Sequence, residues 1–164
     1  MRYGTFLITL VALVLIAAAT PLRAQEQTEF YQQKERWGVG LQAGLMSGMG
    51  LAARFHPQGR FGFQLAGGAF KGSGDMIGDI GIEGQFDFDL DGRNRFYGFV
   101  GMGLYTNGKD GDDKLEGPFR AGFGLAYDWA FARTMVFSTS LGLTYFTDGV
   151  FLPLPQVGLY YIFD

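Results

Sequence analysis

The stretch that decides the fold runs from Ile77 to Leu104 and reads IGDIGIEGQFDFDLDGRNRFYGFVGMGL. In its first arm, one parity is apolar and the other polar. The apolar parity holds Ile80, Ile82, Phe86, Phe88 and Leu90, and the polar parity holds Asp79, Glu83, Gln85, Asp87 and Asp89. A period of two is typical of a β-strand with one apolar face, and Asp91-Gly-Arg-Asn94 predicts a tight hairpin turn. A soluble sandwich strand alternates in the same way, so the rest of the chain has to decide.

The same alternation recurs along the chain from Trp37 onward. Eight segments show it: Trp37–Met46, Met49–His56, Phe61–Lys71, Ile77–Leu90, Arg95–Tyr105, Phe119–Trp129, Thr134–Phe146 and Gln156–Phe163. Their lengths bracket the roughly 9–11 residues of a tilted strand that crosses a bilayer. Both parities of the fifth segment are apolar, so its two faces cannot be assigned from the pattern.

Charge placement and connection length point to a barrel in a membrane. Charges inside the segments fall opposite the apolar face, except Lys71, which ends its segment where a lysine can reach lipid headgroups. Connections are short after segments two, four and six and longer after three, five and seven. The first connection, Ser47-Gly48, is an exception at about two residues. Short turns at one end and longer loops at the other are typical of membrane-spanning β-barrels.

The first 24 residues have the pattern of a cleaved signal peptide. Arg2 supplies a positive start, Phe6–Ala19 is an apolar run, and Ala24 offers a cleavage site before Gln25. The rival interpretation is a membrane anchor, but this run is shorter than the roughly 20 residues a spanning helix needs. The predicted organisation is a signal peptide at 1–24, a flexible periplasmic tail at 25–36 and a barrel domain at 37–164.

Composition narrows the classes of function. The chain has no cysteine, which excludes disulfides and cysteine-based metal or nucleophilic sites. After residue 24 it carries 11 basic against 16 acidic residues, which disfavours nucleic acid as a partner. Its 27 glycines and 16% aromatic residues suit thin, aromatic-decorated strands better than a soluble globular core.

Taken together, residues 37–164 resemble the small eight-stranded outer-membrane barrels of the OmpA-like and OmpX-like kind. The signal peptide, the eight segments, a glycine-rich inner face and the aromatic last strand, Tyr160–Phe163, carry the resemblance. It implies an all-β, eight-stranded antiparallel up-and-down transmembrane barrel in the outer membrane of a Gram-negative-type bacterium. It also implies outer-membrane lipid as the surroundings, and assembly machinery that recognises the last strand.

An eight-stranded barrel predicts two sets of residues with distinct roles. Because charges in a narrow lumen need partners, we expect an Arg–carboxylate network in which Arg54 and Arg120 face Glu83 and Asp87. The full predicted lumen set is Arg54, Glu83, Asp87, Arg120, Asp128, Gln42, Gln64 and Gln85. Aromatic girdles are predicted from Trp37 and Trp129 at the periplasmic interface and from Tyr105 and Tyr145 at the external one.

The sequence contains no convincing catalytic or metal constellation. The single histidine, His56, precedes Pro57 in a predicted periplasmic turn, far from Ser138 and Ser140 on the predicted lumen face. Glu83 and Asp87 as paired acids are a weaker alternative to a salt-bridge role. The acidic stretch Asp110–Glu116 lacks the spacing of a calcium loop and is interpreted as a solvated surface loop.

The functional prediction is therefore a non-enzymatic barrel with a structural role, or one that interacts through its external loops. The candidate interaction loops are residues 72–76, 107–118 and 147–155; no cofactor, metal or nucleic acid is expected. Two alternatives stay open. One is a soluble periplasmic lipocalin-like module that buries its apolar face around a small ligand, and the other is a barrel enzyme that acts on lipids.

Overall fold

The computed structural model describes residues 35–71, 75–91, 93–109 and 118–163, and within them the chain forms eight strands. They are β1 Arg36–Ala43, β2 Gly50–His56, β3 Phe61–Lys71, β4 Asp75–Asp91, β5 Asn94–Lys109, β6 Phe119–Ala130, β7 Met135–Phe146 and β8 Phe151–Phe163. The predicted signal peptide at 1–24 lies outside the described residues, as does the predicted tail up to residue 34. Arg36 already belongs to β1. The described residues include no helix long and apolar enough to cross a membrane.

Each strand pairs antiparallel with the next, and β1 pairs with β8, so the sheet closes into a barrel in sequence order. The closing register runs from Trp37 opposite Phe163 to Ala43 opposite Val157. Closure satisfies the backbone of the first and last strands, which in an open sheet would expose unpaired N–H and C=O groups to hydrocarbon. The predicted all-β, eight-stranded antiparallel barrel is confirmed.

The apolar parity points outward, as in a barrel surrounded by lipid. Large apolar side chains cover the outside of every strand, from Leu41 and Leu51 to Leu141 and Leu159. The predicted lipid-facing residues Ile80, Ile82, Phe86 and Phe88 are all exposed. A lipocalin-like module requires the opposite arrangement, with apolar side chains inside, so the observed faces exclude that alternative.

The structure assigns the faces of β5, which the pattern alone left open. Arg95, Tyr97 and Phe99 are buried inside, whereas Val100 and Met102 are exposed outside. Two aromatic rings and a guanidinium therefore enter the lumen from the strand whose two parities looked alike.

A β-bulge in β4 changes one predicted position. Asp87 pairs with Tyr97 and Asp89 with Phe96, so Phe88 is an extra residue in the ladder. As a result Asp89 is exposed, although simple alternation predicts that it shares the lumen-facing side with Asp87.

Unequal strand lengths give the barrel an uneven upper rim, where "upper" denotes the end carrying the β1–β2, β3–β4, β5–β6 and β7–β8 connections. β1 and β2 have 8 and 7 residues, whereas β4 and β5 have 17 and 16. The β1–β2 connection spans residues 44–49, not the two residues predicted. β8 begins at Phe151, so Leu152–Pro155 belongs to a strand rather than to the predicted 147–155 loop.

An arginine in the middle of the outward face tests the lipid-facing assignment. Val100 is 64% exposed near the centre of β5. Val100→Arg is expected to lower the free energy of unfolding in lipid vesicles by about 2–4 kcal/mol, because the charge would lie in hydrocarbon. Chemical denaturation followed by tryptophan fluorescence measures this change. Gln58→Arg, in the exposed lower turn, is the control, and equal effects of the two substitutions would contradict the orientation.

Candidate functional site

The candidate site is the barrel lumen, where the structure buries all eight residues predicted for it: Gln42, Arg54, Gln64, Glu83, Gln85, Asp87, Arg120 and Asp128. Each extends from a strand position on the inward parity. An eight-stranded barrel has an interior just wide enough to be filled by side chains. These groups therefore have to satisfy one another, because little space is left for bulk water.

Two arginines and two aspartates form the lower layer of the lumen. Arg54 Nη1 lies 2.6 Å from Asp128 Oδ2, and Arg95 Nε lies 2.5 Å from Asp87 Oδ1. Arg95 Nη1 also reaches Asp128 Oδ2 at 3.3 Å, so one carboxylate serves two guanidinium groups. All four side chains are nearly inaccessible to solvent. A buried charge without such a partner would cost several kcal/mol.

The pairings differ from those predicted for Arg54 and Arg120. Arg54 pairs with Asp128, and Arg120 pairs with Asp79 through Nη2 and Oδ1. Glu83 instead accepts hydrogen bonds from Ser47 Oγ at 2.7 Å and from Gln85 Nε2 at 2.7 Å. The alternation predicts which side chains point into the barrel. Which arginine meets which carboxylate depends on their positions along the barrel axis and on which strands face each other across the lumen.

His56 is part of this network rather than a turn residue. It is the last residue of β2, is buried, and places Nε2 at 2.6 Å from Asp87 Oδ2. The sequence assigned His56 both to the end of the segment Met49–His56 and to the turn before Pro57. The structure places it in β2 on the inward parity, so the interpretation as a turn histidine was wrong. Asp87 thus accepts contacts from both His56 and Arg95.

Two tyrosines connect the charged layer to the amides above it. The Arg54 guanidinium carbon lies 3.9 Å from the Tyr160 ring centroid, and that of Arg95 lies 4.0 Å from the Tyr97 centroid. Such contacts favour a cation over an aromatic face. The Tyr160 hydroxyl lies 2.7 Å from Gln42 Oε1 and 3.0 Å from Gln64 Oε1. The rings therefore fill space and also satisfy polar groups.

The β1–β2 connection, residues 44–49, folds down into the upper lumen, and we call it the plug. Met46 and Ser47 are completely buried. Ser47 N donates to Gln156 Oε1 at 3.1 Å, and Arg120 Nε donates to the Met46 carbonyl at 2.9 Å. A single arginine thus binds the plug backbone and the Asp79 carboxylate together.

Glycines on three strands form a socket for the Met46 side chain. A methyl group added at Gly101 would lie 3.1 Å from Met46 Cε, and one at Gly122 would lie 2.9 Å from Met46 Sδ. At Gly142 the corresponding distance to Sδ would be 2.5 Å. Gly81 is equally constrained, because a Cβ there would overlap the Ser47 and Gly48 backbone. The inner glycines therefore accommodate the plug.

After this filling, little space remains in the lumen. A cavity of about 10 Å³ persists among Gln42, Arg54, Gln64, Glu83 and neighbouring residues. That volume is close to the minimum needed for a single water molecule. Within the described part of the chain, the lumen is therefore closed along the plug and the ion-pair layer.

The structure gives partners to the serines and carboxylates that the sequence offered as candidate catalytic residues. Ser138 Oγ lies near Tyr97 and Arg54, and Ser140 Oγ accepts from Gln156 Nε2 at 3.3 Å. His56 Nε2 contacts a carboxylate instead, since it lies 2.6 Å from Asp87 Oδ2. Among the described residues, no group of three or more potential metal ligands is found. Glu83 and Asp87 each have separate hydrogen-bonding partners, which favours their structural interpretation.

The predicted aromatic girdles are placed as follows. Trp37 is 57% exposed and stacks on Phe55 with ring centroids 4.3 Å apart at the lower end. Trp129 lies on the outward parity at the same end, and Tyr145 is exposed near the upper end. Tyr105, however, pairs with Asp79 and shares the inward parity of Arg95 and Tyr97. Its assignment to the outer girdle was wrong, because the faces of β5 could not be read from the pattern.

The candidate loops lie only partly within the described chain. Residues 72–74 and 110–117 lie outside it, and so does the predicted acidic stretch 110–116. Asp75 and Met76 belong to β4, and β5 continues to Lys109, so the predicted loops 72–76 and 107–118 are shorter than expected. The β7–β8 connection is a tight turn over residues 147–150.

Sequence reasoning missed Arg95, His56, Ser47, Tyr97 and Tyr160 as lumen residues. For Arg95 and Tyr97 the register counted from Asp91 opposite Asn94 is not enough, because only the bulge at Phe88 places Tyr97 opposite Asp87. For Ser47 there was no signal, because a loop that folds inward leaves no periodicity in the sequence.

Comparison with known proteins supports the fold. No family model and no curated protein matches the sequence. The N-terminal β-barrel domain of Pseudomonas aeruginosa OprF matches with a TM-score of 0.58 and 14% identity, covering 80% of this chain and 98% of that one. Ail of Yersinia pestis, in complex with the heparin analogue sucrose octasulfate, matches with a TM-score of 0.50 and 14% identity, covering 80% and 100%. The chain therefore has the fold of small eight-stranded outer-membrane barrels, as the resemblance predicts.

Removing Arg120 should unfasten the plug. Arg120→Leu is expected to lower the free energy of unfolding by about 3–5 kcal/mol, because Asp79 would remain buried without its cation. Equilibrium unfolding in detergent measures the change. The double variant Arg120→Leu/Asp79→Leu should recover a large part of the loss. If the double variant is as unstable as the single one, the ion pair is not the source of the effect.

The Met46 socket can be emptied without touching a charge. Met46→Ala is expected to cost about 2–5 kcal/mol, because the glycine-lined space cannot collapse onto a smaller side chain. Leu45→Ala, in the same connection but exposed, is the matched control and should cost well under half as much. Similar losses in the two variants would show that Met46 does not anchor the plug.

Proposed function

We infer that the protein is a non-enzymatic barrel of the outer membrane of a Gram-negative-type bacterium, with a structural role or a role in surface interaction through its upper connections. The observation that supports this most directly is the filled lumen. Ion pairs close its lower part, the plug closes its upper part, and about 10 Å³ is left between them. Among the described residues, a lumen filled in this way leaves room for about one water molecule, which favours a scaffold over a channel.

Export and assembly follow from the same proposal. Residues 1–24 act as the cleaved signal, and the last strand, β8 Phe151–Phe163, is the segment that the assembly machinery binds. The upper end then faces the cell exterior, since the even strand number leaves the first and last strand ends at the lower, periplasmic end. Partners would then be contacted through the upper connections that follow β3, β5 and β7.

The closed lumen predicts no steady conductance. The purified protein, reconstituted in planar bilayers, is expected to show no ohmic channel of the size of general porins, because no continuous water path crosses the ion-pair layer. Faster gel migration of the unheated protein verifies that the reconstituted sample is folded. A stable conductance in the folded wild-type protein would overturn the proposal.

The orientation has its own test. Trypsin added to intact cells should cut the β5–β6 connection at Lys109 or Lys114 and leave the barrel strands whole. A Lys109→Gln/Lys114→Gln variant should resist cleavage at this position. Cleavage that requires opening of the outer membrane would place the upper end in the periplasm and contradict the assignment. Recovery of the protein in the soluble periplasmic fraction would contradict the membrane location itself.

A further inference from the structure

A large hollow lies on the outside of the barrel, in the wall made by β1 to β4. It has a volume of about 680 Å³ and is apolar. Its concavity comes from two small outward residues on neighbouring strands, Ala53 and Gly67. Ala53 stands between Val39 and Leu65, and Gly67 stands between Leu51 and Ile80. Small side chains flanked by branched aliphatic ones produce a trough along the wall.

We propose that this trough binds one acyl chain of an anionic lipid from the leaflet at the upper end of the barrel. The surface is continuous with the lipid-facing band that surrounds the whole barrel, so the available occupant is a hydrocarbon chain. The aliphatic lining matches such a chain in polarity, and burial of each methylene group against it is favourable.

The trough is closed below and open above, which fixes the direction from which the chain enters. Below Ala53, the Trp37 and Phe55 rings stack at 4.3 Å, and Phe63 stands opposite Phe55 on the next strand. Above Leu51 the wall ends, because the β2–β3 pairing begins at Leu51 opposite Gly67. Above that pair, the Met49 and Gly50 backbone still lies close to Gly68, and Ala69–Lys71 of β3 extends farther, beyond the start of β2.

The distance from the bottom of the trough to the upper end of β3 fits one leaflet. On β3 the trough is lined by Leu65, Ala66 and Gly67, and from Leu65 to Lys71 the strand rises six residues, about 20 Å at roughly 3.3 Å per residue. At a strand tilt of about 40°, this corresponds to about 15 Å along the membrane normal, or half of a hydrocarbon core of about 30 Å. Lys71 is exposed and ends the same outward column as Leu65 and Gly67. Its ammonium group therefore stands at headgroup height above the trough, where it attracts a phosphate.

A second hollow, of about 570 Å³, lies around Phe61, Phe86, Phe88 and Phe123 and illustrates the difference. There the Phe88 ring fills the space next to Gly98, since a methyl group at Gly98 would lie 2.8 Å from that ring. No aromatic side chain is among the residues that line the β1–β4 trough. Of these two hollows, the trough is the one whose lining leaves it open to an external chain.

Lipid retention in native mass spectrometry tests the proposal. The folded full-length protein in detergent micelles is mixed with dimyristoylphosphatidylglycerol or with the zwitterionic dimyristoylphosphatidylcholine, and the bound lipids are counted. The wild type should retain one phosphatidylglycerol in preference to phosphatidylcholine. Ala53→Phe should reduce retention of both lipids about tenfold, because each displaced methylene contact weakens binding about fourfold.

Two further variants separate the chain from the headgroup. Ala121→Phe, also an outward alanine but on β6 between Met102 and Tyr145, should leave retention unchanged. Lys71→Gln should remove the preference for phosphatidylglycerol while phosphatidylcholine still binds. Gel migration of unheated samples verifies that each variant is folded. Equal retention by Ala53→Phe and Ala121→Phe would overturn the site, and an unchanged preference in Lys71→Gln would overturn the headgroup contact.

Discussion

Backbone hydrogen bonding in hydrocarbon is the constraint on which this structure depends. Every N–H and C=O that faces lipid needs a partner within the protein, and a sheet satisfies this only by closing. Eight strands of modest length close into a narrow cylinder, which turns the polar parity inward. The charged lumen therefore depends on the pairing of β1 with β8, which runs from Trp37 opposite Phe163 to Ala43 opposite Val157.

A narrow closed lumen then has to be filled, and this protein fills it in two ways. The lower half uses long charged side chains that share partners, with Asp128 between Arg54 and Arg95, and Asp87 between Arg95 and His56. The upper half uses main chain, since residues 44–49 fold inward and Met46 occupies a space cleared by glycines. The short β1 and β2 strands make this possible, because their connection starts below the rim. The same shortness opens the wall above Leu51 on the outside, so the plug and the external trough share one cause.

Much of the fold could be predicted from local pattern. The hairpin at Asp91–Asn94 and the outward positions of Ile80, Ile82 and Phe86 follow from alternation, because a strand places successive side chains on opposite faces. The eight predicted lumen residues are inward for the same reason. Prediction failed where the pattern does not show which face a residue takes: on β5, whose two parities are both apolar, at the bulge beside Asp89, and at His56, which stands at the border between a strand and the turn before Pro57.

By itself the sequence determined the strand number, the closed topology and eight of the residues that enter the lumen, since these follow from the period of the side chains and from the need to pair every strand. Tertiary structure alone decided which charges meet. Arg120 with Asp79, and Arg54 with Asp128, are separated by 41 and 74 residues along the chain. Their pairing depends on strand register and on the curvature of the closed sheet. The inward course of residues 44–49 was likewise decided only by the tertiary structure. Met46 needs the space beside Gly101, Gly122 and Gly142, and these glycines come together only when the barrel closes.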